Sequence, residues 1–191
     1  MGANPFNKLL EEEIKMGNIL LLDDIIDALW KVCKEFGDTF PLSENRIQER
    51  PICYEFYHKF RSSMSAEILP KGIVLTAEPD KRYQKSLSCN VKKQPDFIIH
   101  TPNTNENNLA VLEFKKYNNI SKIFKDLQKL LNFKKDKDLK YETLVEVIII
   151  YRKMRGDLKK KLKNNIKFQG SGINIIFLDT TDWCVKEPFK L

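Results

Sequence analysis

The segment 94–116, QPDFIIHTPNTNENNLAVLEFKK, constrains this chain most, because it holds two short apolar runs joined by turn-forming residues. Residues 97–100 (FIIH) and 109–114 (LAVLEF) are strand-type, while residues 101–108 (TPNTNENN) carry the Pro, Asn and Thr that favour turns. The pattern predicts an antiparallel hairpin. Pairing symmetric about Thr104 and Asn105 sets Asp96 opposite Glu113, with Cα atoms on the order of 5 Å apart. Side-chain alternation then puts Glu113 and Lys115 on one face of the second strand, and Leu112 and Phe114 on the other. Two acids and one lysine are expected within a small area.

Carboxylates placed so close repel each other, and a hard divalent cation relieves that repulsion. Mg²⁺ takes oxygen ligands at roughly 2.0–2.1 Å, commonly one or two carboxylates with waters and a substrate phosphate. Mn²⁺ is the expected substitute. A neighbouring lysine can polarise an attacking water or neutralise phosphate charge, while the metal lowers the pKa of that water. Phosphodiester hydrolysis is the chemistry implied.

Pro95-Asp96 and Glu113-Phe114-Lys115, in the wider stretch 94–116 and with Gln48-Glu49-Arg50 upstream, resemble the PD-(D/E)XK nuclease superfamily, the restriction-endonuclease-like proteins. The resemblance spans residues 44–151. It implies a metal-dependent endonuclease acting on DNA, in which Asp96 and Glu113 bind metal together with the Phe114 backbone carbonyl. Lys115 would assist the nucleophile.

The resemblance also implies a further acid from a helix ahead of the sheet, and Glu49 and Glu55 both lie in a helical pattern. Glu49 continues the apolar stripe of Ile52, Cys53, Phe56 and Phe60, whereas Glu55 falls with His58, Lys59 and Ser62. Glu49 is favoured as a catalytic and metal-binding acid. Pro51 fits best in a first helical turn, which places Glu49 near a helix start. Its alternative role is a carboxylate stabilised by that helix's positive end, or paired with Arg46 or Arg50. Glu78, at the end of the strand pattern 73–77, is a third candidate, for which a salt bridge with Lys81 or Arg82 is the plainer reading.

Charge is unevenly spread. Residues 1–50 carry a net −4 and residues 114–170 a net +11, within an overall +7. DNA is therefore the expected partner, with Lys116, Lys122 and Lys129 as candidate phosphate contacts and the cluster Lys159, Lys160, Lys161 and Lys163 adding attraction. A non-catalytic nucleic-acid-binding protein of the same fold, or an interaction subunit of a defence or mobile-element system, is the alternative. A homodimer would pair two sites for double-strand cleavage, and a partner subunit would supply specificity.

The remaining patterns predict an α/β fold with a central mixed sheet flanked by helices on both faces, restriction-endonuclease-like by resemblance. Residues 1–191 are expected to form one nuclease-like domain, with residues 1–42 a helical portion packed on its core. In that portion, residues 7–16 suggest one short helix and Asp23 caps a second that stops near Gly37. Residues 87–91 suggest a strand. Ile120, Ile123, Phe124, Leu127, Leu130 and Leu131 mark an amphipathic crossover helix, with Lys122, Asp126 and Lys129 sharing another face. Buried strands are expected at 145–151 and 173–178, with a helix over 153–166 between them. No membrane span or secretory signal is visible, and a cytoplasmic location is expected. The four cysteines form no Cys-x-x-Cys pair and are expected as reduced thiols. His58 and His100 are expected in structural or surface roles, and no glycine-rich phosphate loop is present.

Overall fold

The computed structural model describes residues 5–39, 48–63, 72–78, 94–102, 108–137, 139–151 and 155–191, with backbone only for residues 5–20 and 155. In chain order these form α1 (Pro5–Thr39), α2 (Glu49–Ser63), β1 (Val74–Ala77), β2 (Phe97–His100), β3 (Ala110–Lys116), α3 (Ile120–Lys135), β4 (Thr143–Ile150), α4 (Arg155–Lys163), β5 (Asn174–Asp179), β6 (Cys184–Val185) and β7 (Phe189–Lys190). The expected strand at 87–91, and the Lys81 and Arg82 proposed as partners of Glu78, lie outside the described residues.

The sheet is open and mixed, with order β1-β2-β3-β4-β5-β6 and β7 paired to β5. β1, β2 and β3 run antiparallel, then β3, β4 and β5 run parallel. Parallel neighbours need a crossover, and α3 and α4 supply the two. Phe97 pairs with Leu112 and Ile98 with Val111, so the hairpin has the register expected from its sequence and Asp96 falls opposite Glu113.

Each face of the sheet has its own apolar cluster. One joins Leu21, Ile25, Leu29 and Val32 of α1, and Ile52, Phe56 and Phe60 of α2, to Phe97, Leu112, Phe114 and Val147 of the sheet. Phe56 lies 5.0 Å from Phe114 and 5.4 Å from Phe97 between ring centroids, a compact aromatic contact. The other cluster joins Ile123, Leu127 and Leu130 of α3, and Leu158 and Leu162 of α4, to Ile98, Val111, Ile148 and Phe177. Helices thus cover both faces.

The N-terminal portion differs from expectation in one respect: α1 is a single 35-residue helix rather than two. Asp23 lies in its interior and caps nothing. The apolar series Leu21, Ile25, Ala28, Leu29 and Val32 is buried without interruption, and a glycine such as Gly17 costs only about 1 kcal/mol in a helix. Packing therefore carries the helix through both glycines to Thr39. At Gly37 an added Cβ would lie 3.3 Å from the Cβ of Trp183, so the glycine serves close approach rather than termination. The short strands β6 and β7, two residues each, were absent from the sequence pattern because such lengths carry no periodicity.

Candidate active site

α2 starts at Glu49, and Pro51 sits in its first turn, where a proline costs no helical hydrogen bond. That start points Glu49 at β3. Its Oε2 accepts a hydrogen bond from the Lys116 backbone N–H at 2.8 Å, and its Oε1 lies 3.3 Å from Lys115 Nζ. The same ammonium is 3.5 Å from Asp126 Oδ2 on α3. Burial opposes charge on Lys115, but Asp126 and Glu49 outweigh it and hold the group above the ordinary lysine range.

Asp96 stands just ahead of β2. The Glu78 N–H donates to the Asp96 carbonyl oxygen at 2.8 Å, and Glu78 itself adopts a left-handed φ of +43°, a conformation unusual for a residue with a Cβ. The Asp96 side chain crosses to β3, where its Oδ2 accepts the Phe114 N–H at 2.7 Å. Burial raises its pKa, and the Phe114 N–H, Lys129 and Lys115 pull it back only in part.

Glu113 is 2% exposed. Lys129 Nζ lies 2.7 Å from its carboxylate oxygens, but only Oε2 receives a hydrogen bond of good geometry. Burial, with the repulsion of Asp96, pushes its carboxyl well above the glutamate range in spite of Lys129. Beside it on β4 is Glu146, its Cα partner in the parallel ladder, which is 0% exposed. Neither Glu146 oxygen has a hydrogen-bond partner among the described residues. Burial holds this carboxyl high as well, reinforced by Asp126 and Glu113.

Asp96, Glu113, Lys115 and Glu49 are thus gathered at one end of the β2–β3 pair. Lys116 is half-buried and adds its N–H to Glu49, Lys122 faces solvent on α3, and Lys129 turns inward onto Glu113. Glu55 belongs elsewhere: it pairs with Lys59 at 3.0 Å and His58 at 3.5 Å, on the flank of α2 where Lys59 also reaches Glu35 of α1. His100 is buried, with Nε2 3.1 Å from Thr76 Oγ1.

Sequence reasoning grouped Asp126 with Lys129 but gave it no place in the cluster, and it passed over Glu146. The signal for Glu146 was one acid inside the otherwise apolar strand TLVEVIII. A buried acid with no partner in its own strand must find one elsewhere.

The donor set fits a hard cation. Asp96 gives Oδ2 to the Phe114 N–H, and both oxygens of Glu113 lie 2.7 Å from the Lys129 ammonium, so a cation at Glu113 would share it with that lysine. Among the described residues no three His, Cys, Asp or Glu side chains close around one point. Two carboxylates, the Phe114 carbonyl, water and substrate oxygens are a composition that Mg²⁺ accepts.

Fold and cluster together define an α/β protein whose open mixed sheet carries a buried acid–lysine centre at the join of its antiparallel and parallel halves. No family model, curated protein or solved structure matches the chain. No helix among the described residues is long and apolar enough to cross a membrane.

Proposed function

We propose that this chain is a metal-dependent endonuclease of restriction-endonuclease-like fold that hydrolyses DNA phosphodiester bonds. The observation that carries the reading is a crowding of acids: Glu49, Asp96, Glu113, Asp126 and Glu146 share one cluster in which, among the described residues, two ammonium groups stand, Lys115 and Lys129. Burial, reinforced by their mutual repulsion, raises the pKa of Asp96, Glu113, Asp126 and Glu146, and a bound cation would relieve the same repulsion with the groups ionised. The basic half of the sequence supplies a surface that attracts a polyanion to it.

In this reading Asp96, Glu113 and the Phe114 carbonyl hold Mg²⁺, or Mn²⁺ in its place. When bound, the ion lowers the pKa of a coordinated water and stabilises charge on the phosphate. Glu49 and Asp126 grip Lys115 from two sides, fixing its ammonium for the attacking water or the phosphate oxygen. Lys129 offsets charge on Glu113, and the solvent-facing Lys122 meets the backbone of the DNA. Glu49 acts chiefly by orienting Lys115 and the β3 backbone.

The test is cleavage of supercoiled plasmid and branched DNA with Mg²⁺ or Mn²⁺, comparing wild type with Asp96→Ala and Lys115→Ala. Each substitution is expected to lower the rate on the order of 100-fold or more. Pure wild type that binds DNA without cutting it would instead support a non-catalytic binding protein.

A further inference from the structure

α3 presents two different flanks. One carries Asp126 and Lys129 into the acid–lysine centre. On the opposite flank, Ile120 and Phe124 line a groove of about 790 Å³, closed on its far side by α4 and the turn that follows it. Lys160, Lys161 and Lys167 rim the groove, with Asp157 the one acid in its lining. Ile166 projects into solvent at its edge with 83% exposure, the highest of the large apolar side chains exposed among the described residues. Phe124 is braced from behind by stacking on the buried Phe168, with ring centroids 5.7 Å apart.

An apolar floor with a basic rim matches a ligand that has a flat apolar body and an anionic backbone. Three lysines against the single acid Asp157 in the lining favour an anionic ligand over a neutral one. The groove is open to solvent along its length, and its volume would seat a ligand of nucleotide size. Duplex DNA keeps its bases stacked inside and offers the groove only phosphates, whereas an unpaired strand offers both base faces and phosphates. The exposed Lys122 and Lys125 lie on the outer side of α3 between its two flanks, so cations continue from groove to centre.

We infer that this groove binds an unpaired DNA strand, its bases against Phe124 and Ile166 and its phosphates on Lys160, Lys161 and Lys167. The inference rests on the nuclease reading, which it deepens: the substrate is a DNA with a single-stranded segment beside the cleavage point, a flap, fork or bubble. α3 then separates the strand being cut from the strand being held.

Fluorescence anisotropy without divalent cation, using labelled oligothymidine and a duplex of equal length, tests the binding apart from cleavage. Ile166→Ser and the double variant Lys160→Ala/Lys161→Ala alter exposed side chains, and thermal melts matching wild type will verify folding. Each variant is expected to weaken oligothymidine binding about tenfold and duplex binding far less. Unchanged oligothymidine affinity in the folded variants overturns the inference, as does equal loss for both DNAs, which would mark the lysines as a general electrostatic surface. Plasmid and flap cleavage in Mg²⁺ keeps the two readings apart. Groove-dependent strand binding with no cleavage by wild type leaves the groove and removes the nuclease. Cleavage indifferent to the groove variants does the reverse.

Discussion

The two faces of the central sheet are built from the same strands and each has an apolar core, yet one of them also carries a cluster of acids and lysines. On β4, Val145, Val147 and Ile149 face α1 and α2, while Leu144, Glu146, Ile148 and Ile150 alternate with them toward α3 and α4. On β3, Leu112 and Phe114 join the aromatic contact with Phe56 and Phe97, whereas Glu113 and Lys115 alternate with them. The first face gains stability from close packing. The second gives some of it up, since each buried carboxylate is costly to desolvate and is only partly compensated by lysine.

The contrast is broken most severely on the apolar face. Phe56→Ala should cost about 3–5 kcal/mol in denaturant unfolding, because Phe56 is fully buried and touches three other rings. A loss below 1 kcal/mol would mean that this face is not the stabilising one. On the charged face, Lys129→Met removes the ammonium that hydrogen-bonds Glu113, leaving that carboxyl to take up a proton, and should cost about 1–3 kcal/mol in metal-free buffer at neutral pH. Adding Mn²⁺ should recover part of that loss if the cation binds Glu113. Failure to recover any of it counts against Glu113 as a ligand.

Glu146→Leu should act in the opposite direction. The folded protein holds the Glu146 carboxyl well above its ordinary value of 4.5, so the native state binds this proton more tightly than the unfolded chain. Its contribution is fully present below the unfolded value and is lost as pH rises through the folded one. The leucine variant should therefore exceed wild type at both pH values, by about 1–3 kcal/mol more at pH 8 than near pH 4. Urea titrations at the two pH values measure this, and an advantage that shrinks with rising pH would refute it. The smallest expected effect is at Asn119, whose Oδ1 accepts the Ser121 N–H at 2.8 Å and caps the helix bearing Asp126 and Lys129. Asn119→Ala should cost about 1 kcal/mol and speed amide exchange in the first turn of α3.

Much of this organisation was legible in residues 94–116. A turn-rich loop between two strand patterns allowed one symmetric register, and that register brings Asp96 to Glu113. Glu49 was legible as well, because Pro51 marks a helix start and the 3.6-residue period separates it from Glu55. The unity of α1 was not legible, since propensity at Gly17 and Asp23 argues for a break that burial of the Leu21-to-Val32 stripe overrides. Lys129 looked like a solvated phosphate contact, and only its partner on β3 shows that it turns inward.

The sequence by itself determined the hairpin, the alternation that segregates acids from aromatics, and the amphipathic stripe of α3. Each depends on neighbours within about a dozen residues, where the periods of strand and helix fix which side chains share a face. Tertiary structure alone decided that Glu146 lies beside Glu113, that Asp126 and Glu49 both reach Lys115, and that α3 and α4 flank an open basic groove. Those juxtapositions come from parallel crossovers and helix docking, whose outcome rests on packing between segments tens of residues apart.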